Sequence, residues 1–291
     1  MKVLIFGSPC RGTYSVQIAR FFKMLRLLQC EALIEHSYAR FLTEHLKMDV
    51  SLFGVFDGVI ADADLAVSIG GDGAYLGTAA QIGAFEIPIL GINTGHLGFL
   101  AEVSDSDIEH VFKEALNGQY KVEERTVLRA EWTGRQSDTV PFALNEVAAL
   151  KQDLSSMINI ETCIDGEFLH TYQADGLIIA TPTGSTAYAL SVGGPVITPS
   201  SHNWLVIPVA SHSLTVRPLV IPDTCCITLK INSRSQNYML SLDGRSQLMP
   251  EAVTLHISKA EHLIRSVQPI DHTFFKTLKN KLMWGADVRQ K

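Results

Sequence analysis

The first 120 residues alternate short apolar runs with segments of helical periodicity. The apolar runs predict buried strands at residues 4–6, 65–69 and 87–92, and the periodic segments predict helices around residues 16–28, 37–47 and 74–83. This strand–helix–strand order is typical of an α/β domain, in which helices cover both faces of a parallel sheet.

A further helix is predicted over residues 104–118. Ser104 and Asp107 form an S-x-x-D capping pattern, and Gly118 fits a left-handed helix stop. The apolar stripe between these signals consists of Ile108, Val111, Phe112, Ala115 and Leu116.

After residue 120 the apolar period shifts toward two, which favours strands. Residues 158–164 alternate, and Asp165-Gly166 predicts a tight hairpin turn. Further strands are predicted at residues 177–180, 205–209, 227–231, 239–242 and 253–257. We therefore predict three parts: an α/β domain over 1–120, a β-rich domain over 121–265, and a C-terminal helix within 266–291 that packs on the first domain.

Composition limits the classes of function. The 291 residues are 46% hydrophobic and 19% charged, with a formal net charge of −6. This acidic balance argues against a nucleic-acid partner, because a phosphate backbone binds a basic surface. A small phosphorylated ligand needs only a local site, so we expect a soluble enzyme.

No membrane partner or secretion signal is predicted. No stretch approaches the roughly 18 apolar residues that a membrane span requires, and the apolar run after Lys2 is too short for a signal peptide. The five cysteines are Cys10, Cys30, Cys163, Cys225 and Cys226, with no C-x-x-C spacing. Reduced thiols in a cytoplasmic protein are the prediction, with Cys225 and Cys226 in the core.

A glycine-rich loop, Gly70-Gly71-Asp72-Gly73, follows the predicted strand at 65–69. Glycines let the backbone approach a phosphate closely, and the next helix points its positive end at the same place. A carboxylate beside a phosphate is electrostatically unfavourable, so its presence here indicates a chemical role, either binding a cation or accepting a proton. The alternative is a tight turn in which Asp72 caps the helix.

A second glycine loop covers residues 91–100. It would emerge beside the first loop if the two strands are neighbours, forming a shared cleft for phosphate or ribose; otherwise it is an ordinary surface loop. We do not expect His96 of this loop to act as a base.

Two polar segments interrupt later apolar strands. Asn145-Glu146 could read an adenine rim or ribose hydroxyls, or could be a strand end at the surface. The run of residues 181–188 supplies hydroxyls and backbone N–H groups that suit a nucleotide, with a hydroxyl-rich turn as the alternative. The G-x-x-x-x-G-K-[ST], H-E-x-x-H and G-x-S-x-G motifs do not occur.

Taken together, these motifs resemble the bacterial NAD kinase family along nearly the whole chain. The motifs are Gly70-Gly71-Asp72-Gly73, Asn145-Glu146, Asp175-Gly176, Thr181-Pro182-Thr183-Gly184-Ser185-Thr186-Ala187-Tyr188 and Gly193-Gly194-Pro195. The first motif alone is also similar to phosphofructokinases and to lipid kinases of the diacylglycerol and sphingosine type, whereas the T-P-T-G-S-T-A-Y segment is much more specific.

The resemblance implies phosphoryl transfer to the 2′-hydroxyl of the adenosine ribose of NAD, from ATP or, in some members, polyphosphate. It implies Asp72 as proton acceptor and a phosphate loop of Gly70, Gly71 and Gly73, with Gly73 touching the dinucleotide. The other NAD-binding residues that it implies are Asn145, Glu146, Asp175 (from the same or a neighbouring subunit), Thr186, Ala187, Tyr188, Ala189, Leu190 and Ser191.

The resemblance also implies a Rossmann-like N-terminal domain, a β-sandwich-like C-terminal domain, a homodimer or homotetramer, and a divalent cation such as Mg²⁺. Two positions depart from the family pattern. Gln173 stands where many members carry a basic residue, which leaves the choice between NAD and NADH open. Arg245 stands where Gln is common, and we expect it to strengthen a contact with the pyrophosphate or the product's 2′-phosphate.

Two other classes compete with the kinase. A non-catalytic dinucleotide-binding module would keep the pocket without turnover, but it would gain nothing from the anionic Asp72. A lipid kinase is disfavoured by Asn145-Glu146 and by the segment 181–188.

Overall fold

The computed structural model describes residues 1–9, 15–28, 30–58, 60–94, 98–103, 107–133, 140–153 and 156–285. It divides into two units, one of Met1–Glu124 with Ile264–Lys291 and one of Arg125–Leu263. In the described part of the chain, no helix has the length and apolar character that a membrane span needs.

In the first unit, the described residues before the second unit form ten α-helices and β-strands. They are β1 (Lys2–Gly7), α1 (Ser15–Leu28), β2 (Glu31–Glu35), α2 (His36–Glu44), β3 (Gly54–Phe56), β4 (Leu65–Gly70), α3 (Asp72–Ile82), β5 (Ile89–Asn93), α4 (Ile108–Leu116) and β6 (Lys121–Arg125).

The second unit follows, and the chain then returns to the first. The second unit contains β7 (Leu128–Trp132), β8 (Phe142–Ala143), β9 (Glu146–Lys151), β10 (Ile158–Ile164), β11 (Glu167–Ala174), β12 (Gly176–Ala180), α5 (Tyr188–Ser191), β13 (Asn203–Val209), β14 (Leu219–Pro222), β15 (Ile227–Asn232), β16 (Asn237–Leu242), β17 (Arg245–Pro250) and β18 (Thr254–Lys259). The returning segment forms β19 (Ile264–Gln268) and α6 (Phe274–Leu282).

The sheet of the first unit has the order β3-β2-β1-β4-β5-β19-β6. Its pairs from β3 through β5 are parallel, as is β5 with β19, which confirms the predicted α/β architecture. Every residue of β4 is buried, as expected for a central parallel strand covered on both faces. The carboxyl ends of β4 and β5 therefore open from the middle of the sheet.

Helix α4 confirms the apolar stripe and the left-handed stop at Gly118. Ile108, Val111, Phe112 and Ala115 are buried, and Gly118 has a φ of +71°. Asp107 occupies the N-cap position of α4 and makes no side-chain capping hydrogen bond to that helix, and its predicted capping pattern with Ser104 stays a prediction. Ser104 lies outside the described residues.

Two six-stranded sheets form the second unit, in the orders β11-β10-β15-β18-β7-β8 and β14-β13-β12-β9-β16-β17. One apolar cluster draws side chains from both sheets, including Ile160, Leu229, Ile179 and Leu240, which confirms the sandwich-like prediction. The predicted hairpin turn at Asp165-Gly166 joins β10 to β11, with positive φ at both residues.

The expectation that Cys225 and Cys226 lie in the core is wrong for Cys226, whereas Cys225 packs against the edge of the core cluster of the second unit. Cys225 is half-buried and Cys226 is exposed, and both precede β15. The N–H of Cys226 donates to Oδ1 of Asp165 at 2.8 Å, and its carbonyl accepts from the N–H of Asp165 at 2.9 Å. These bonds tie Cys226 to the surface hairpin turn.

Candidate active site

The two glycine loops emerge side by side in the first unit. Strands β4 and β5 are parallel neighbours, with Gly70 opposite Asn93, and the N–H of Thr94 donates to the carbonyl of Gly70 at 3.3 Å. This confirms the expectation that the loops share one edge of the sheet. His96 lies outside the described residues.

The carboxylate of Asp72 is held by three consecutive backbone amides of the second loop. The N–H of Phe99 donates to Oδ2 at 2.6 Å, and those of Leu100 and Ala101 donate to Oδ1 at 2.9 and 3.0 Å. Gly71 is the N-cap of α3, and Asp72 is the first helical residue. The alternative in which Asp72 caps the helix is therefore wrong.

The glycines of the loops allow these close approaches. A Cβ on Gly98 would lie 1.8 Å from Oδ1 of Asp72, so a side chain there is incompatible with the hydrogen bonds. Gly70 has a φ of +150°, and a Cβ on it would lie 2.7 Å from Oγ of Ser8. Gly71 and Gly73 have open space at the Cβ position, which leaves the backbone of the first turn of α3 accessible to a ligand.

A second aspartate in the second unit repeats this arrangement. Asp243 accepts from the N–H groups of Leu144 at 2.6 Å, Asn145 at 2.8 Å and Glu146 at 3.0 Å. It occupies a hairpin turn with Gly244, and its φ is +49°. Sequence reasoning missed this residue, although its Asp-Gly pair carries the same turn signal as Asp165-Gly166.

Asn145 and Glu146 each present a buried polar atom that no described residue pairs with. Asn145 is only 7% exposed, which excludes a surface strand end for this residue. Within the described residues, neither Oδ1 of Asn145 nor Oε2 of Glu146 has a hydrogen-bond partner. Because buried polar atoms are normally paired, these two indicate a ligand position.

The environment of Glu146 favours its neutral form. Burial, followed by the charge of Asp243, raises the pKa of Glu146 to about 8, against the opposing effect of the N–H of Tyr188. Burial also raises the pKa of Asp243, although its three amide donors act in the opposite direction. At neutral pH Glu146 can therefore donate a hydrogen bond as well as accept one.

The hydroxyl-rich run supports the segment that contains Asn145. Thr181 donates its hydroxyl to the carbonyl of Leu144 at 2.6 Å and accepts from the N–H of Gly184 at 3.1 Å. A Cβ on Gly184 would lie 2.1 Å from the carbonyl oxygen of Asn145. The glycine therefore permits backbone packing that fixes the polar pair.

Several hydroxyl hydrogens of this run are used within the protein. Ser185 donates to the carbonyl of Pro182 at 2.6 Å, and Thr186 donates to that of Thr183 at 3.2 Å. At Ser185 and Thr186 a nucleotide would therefore meet backbone groups or hydroxyl lone pairs rather than free hydroxyl donors.

The predicted contact residues after Thr186 differ in exposure. Tyr188, which begins α5, is 37% exposed, while the side chain of Ala189 is fully buried in an apolar cluster. Leu190 is half-buried and Ser191 is exposed, and Ala187 precedes α5 as a half-buried residue. Ala189 can therefore offer only its backbone to a ligand.

The remaining predicted site residues have protein partners or lie on the surface. Oδ1 of Asp175 lies 2.6 Å from Nζ of Lys151. Gln173 is exposed on β11, the edge strand of its sheet.

The guanidinium of Arg245 donates to the carbonyls of Leu242 at 3.1 Å, Val140 at 3.1 Å and Phe142. Burial lowers the pKa of Arg245, against the effect of Asp243. A guanidinium has five N–H groups, so two remain for the predicted phosphate contact, which stays a prediction.

Phosphoryl transfer to an alcohol needs amides that face phosphate oxygens and a group that takes the alcohol's proton. The glycine loops of the first unit have accessible backbone amides and the carboxylate of Asp72, and the second unit, taken by itself, has two buried polar atoms without partners among the described residues. These features are those of a nucleotide-binding phosphotransferase.

Comparison with known proteins identifies the family. The model of the ATP-NAD kinase N-terminal domain matches residues 40–120, and that of the C-terminal domain matches residues 144–268. The chain belongs to the ATP-NAD kinase family, and it is an enzyme that phosphorylates NAD with ATP.

Relatives and solved structures agree over nearly the full length. NAD kinases of Bacteroides fragilis and Porphyromonas gingivalis are 49% and 40% identical over 99% of the chain, covering 100% and 99% of those relatives. Yeast NADH kinase complexed with NADH has a TM-score of 0.86 at 27% identity, covering 100% of this chain and 90% of that chain. An Archaeoglobus fulgidus NAD kinase in complex with ATP has a TM-score of 0.75 at 25% identity, covering 97% and 99%.

Proposed function

We propose that the enzyme transfers the γ-phosphoryl group of ATP to the 2′-hydroxyl of the adenosine ribose of NAD, with Asp72 as proton acceptor. The observation that carries this role is the hydrogen bonding of its carboxylate. Oδ1 accepts two amides, whereas Oδ2 accepts only that of Phe99. A carboxylate oxygen has two lone pairs, so Oδ2 keeps one for the hydroxyl proton.

The ribose 2′-oxygen forms a bond to the γ-phosphorus, the bond from that phosphorus to the oxygen bridging it to ADP breaks, and ADP leaves with the electron pair. The hydroxyl proton passes to Oδ2 of Asp72 late in the step, because the hydroxyl becomes acidic only as the new bond forms. The amides of residues 99–101 orient the carboxylate throughout.

The second unit supplies the proposed contacts to adenosine. Oδ1 of Asn145 accepts a hydrogen bond, while the neutral acid of Glu146 either donates or accepts. Backbone groups and the phenol of Tyr188 add contacts with the dinucleotide. Asp175, neutralised in part by Lys151, is proposed as a further adenosine ligand in the same or a neighbouring subunit.

A divalent cation, proposed to be Mg²⁺, fits these residues as a partner of ATP. Among the described residues, no cluster of three or more His, Cys, Asp or Glu could hold a metal ion. Mg²⁺ at such sites takes one or two carboxylates together with phosphate oxygens and water. Because three amides and the transferred proton take the lone pairs of Asp72, the cation would be held by phosphate oxygens and water, and it would neutralise phosphate charge.

We propose that the enzyme accepts NADH as well as NAD. The two differ by one positive charge on the nicotinamide ring, and the exposed Gln173 places no charge on its stretch of β11. The kcat/KM values for the two dinucleotides should be similar, and Gln173→Arg should change their ratio. An unchanged ratio in Gln173→Arg would show that position 173 does not influence the choice between NAD and NADH.

We also propose a homodimer or homotetramer in the cytoplasm. The edge strand β11 carries Phe168, which is 59% exposed, and Leu169, which is 38% exposed, and such edges tend to pair. The described cysteines are free thiols, as is usual in a reducing compartment. Sedimentation equilibrium tests the assembly, since a monomer at micromolar concentration would contradict it.

Asp72→Asn tests the catalytic proposal. General-base assistance contributes about 10²–10⁴-fold, so kcat for NADP formation should fall by about that factor while the fold persists. Asp62→Asn, which changes an exposed ion pair with Lys2, is the control and should keep full activity. A folded Asp72→Asn enzyme with nearly full turnover would show that Asp72 is not the proton acceptor.

A further inference from the structure

The C-terminal segment, from His272 through α6, contacts the loop whose backbone amides bind the carboxylate of Asp72. Oε2 of Glu102, the residue directly after those amides, accepts the hydroxyl of Thr277 at 2.5 Å and pairs with Nε2 of His272. The same His272 nitrogen lies 2.7 Å from Oγ1 of Thr277, so the three side chains form a closed triangle. The side chains of Glu102 and His272 are only 11% and 14% exposed.

The triangle is anchored at its C-terminal end. Thr277 is 5% exposed and lies within α6, which begins after the N-cap Thr273. The carbonyl of His272 accepts from Nζ of Lys121, at the start of β6. The carboxylate of Glu102 therefore binds one side chain of α6 and one just before it, and the backbone at His272 is in turn tied to β6.

Further contacts fix the loop on its other side. Nδ2 of Asn93 donates to the carbonyl of Ala101 at 3.1 Å, and the N–H of Val103 donates to the carbonyl of Gly91 at 3.2 Å. Nζ of Lys281, on α6, lies 4.7 Å from the ring centroid of Phe99, within cation–π range. Helix α6 thus meets the loop at both ends of the amide run.

We propose that Glu102 is a positioning residue for phosphoryl transfer. It binds His272 and Thr277 and thereby holds the amides of residues 99–101 against the carboxylate of Asp72. This inference rests on the proposed role of Asp72. Glu102 contacts no reacting atom; it fixes the direction in which Oδ2 of Asp72 presents its free lone pair.

The first arm of the test measures kcat and KM for Glu102→Ala. A displaced carboxylate should lower kcat by about 10- to 100-fold and leave KM for NAD nearly unchanged, since misplacement by an ångström has effects of that size. The matched control is Glu114→Ala, which removes a partly exposed pair with His110 at 3.4 Å in the same unit and should leave kcat unchanged. A Glu102→Ala enzyme with normal kcat would overturn the inference.

Conservative substitutions at Thr277 keep the test independent of the folding of Glu102→Ala. Thr277→Val preserves the volume but removes the hydroxyl, and it should lower kcat in the same direction. Thr277→Ser keeps the hydroxyl and should restore kcat. Equal kcat in the Val and Ser variants would contradict the proposed triangle.

A double variant separates this inference from the role of Asp72. If Glu102 acts through Asp72, adding Glu102→Ala to Asp72→Asn should lower kcat no further. Additive losses would show that Glu102 acts by another route. Normal turnover of Asp72→Asn alone would instead refute the proposed function.

Hydrogen exchange provides a structural measurement of the same inference. In Glu102→Ala the backbone amides of residues 99–101 should exchange faster, while exchange in β4 stays unchanged. Unchanged exchange at residues 99–101 would contradict the inference.

Discussion

The carboxylate of Asp72 occupies the space beside Gly98 in which any side chain would begin. A Cβ on Gly98 would lie 1.8 Å from Oδ1 of Asp72, well inside van der Waals contact. The glycine is therefore required by the carboxylate, while its own φ lies outside the left-handed region. This pair links the two glycine loops, which are separate in the sequence.

Gly98→Ala should lower kcat by about 10²-fold or more, because Asp72 must move away from the amides of residues 99–101. Gly77→Ala is the matched control, since Gly77 lies within α3 and has open space at the Cβ position. That variant should retain activity and raise the free energy of unfolding by about 0.5–1 kcal/mol. Steady-state kinetics measures kcat of the two variants, and urea unfolding measures their free energy of unfolding. A Gly98→Ala enzyme with wild-type kcat would contradict the proposed geometry.

The sequence predicts the position of Asp72 well, because a buried strand and a glycine loop are local signals. Its partners are 27 to 29 residues away, and periodicity carries no information about which amides a carboxylate will meet. The partners of Asp243 are 97 to 99 residues away, which explains why this residue was missed.

Short strands are a second reason for incomplete prediction. Strand β3 has three residues, and β2 has glutamates at both ends, so neither shows a long apolar run. Pairing with the central parallel strands of the sheet stabilises them, and that tertiary contact has no local pattern.

Asp243→Asn should weaken NAD binding and reduce stability. An amide side chain leaves at least one of the three N–H groups without an acceptor, which costs about 1–3 kcal/mol and releases Asn145 and Glu146. Asp165→Asn is the matched control, because Asp165 has a similar φ in the other Asp-Gly turn but holds one amide, that of Cys226. We expect KM for NAD to rise only in Asp243→Asn, as measured by initial rates. Equal effects of the two substitutions would show that the amide cluster has no special role.

The free energy of unfolding should fall as the pH rises from about 5 to about 8. Glu146 has a pKa of about 8 in the fold against an ordinary value of 4.5, so the folded chain retains a proton that the unfolded chain releases. The stabilisation is complete below the ordinary value and is lost as the pH passes the folded value, a change of roughly 3–5 kcal/mol at most. Urea unfolding at several pH values measures this slope.

Glu146→Gln should flatten that slope, because it removes the titrating group and keeps the side chain's size. Glu161→Gln changes an exposed glutamate that pairs with Lys230 at 3.1 Å, and it should keep the wild-type slope. Asp243 has a raised pKa and adds a change of the same sign. A Glu146→Gln protein with the full wild-type slope would show that Glu146 is ionised in the fold.

Arg245→Gln separates the structural role of this residue from its predicted phosphate contact. Loss of the guanidinium leaves the carbonyls of Leu242, Val140 and Phe142 without these donors, so the free energy of unfolding should fall by about 1–3 kcal/mol. If the two remaining N–H groups also bind phosphate, the dissociation constant for NADP should rise by about tenfold, the value of one charge-assisted hydrogen bond. Arg245→Lys keeps the positive charge but lacks the planar guanidinium, so its stability and its NADP affinity should lie between those of the wild type and of Arg245→Gln. Calorimetric titration with NADP decides the second role, since lower stability with unchanged NADP affinity would restrict Arg245 to holding the strand ends.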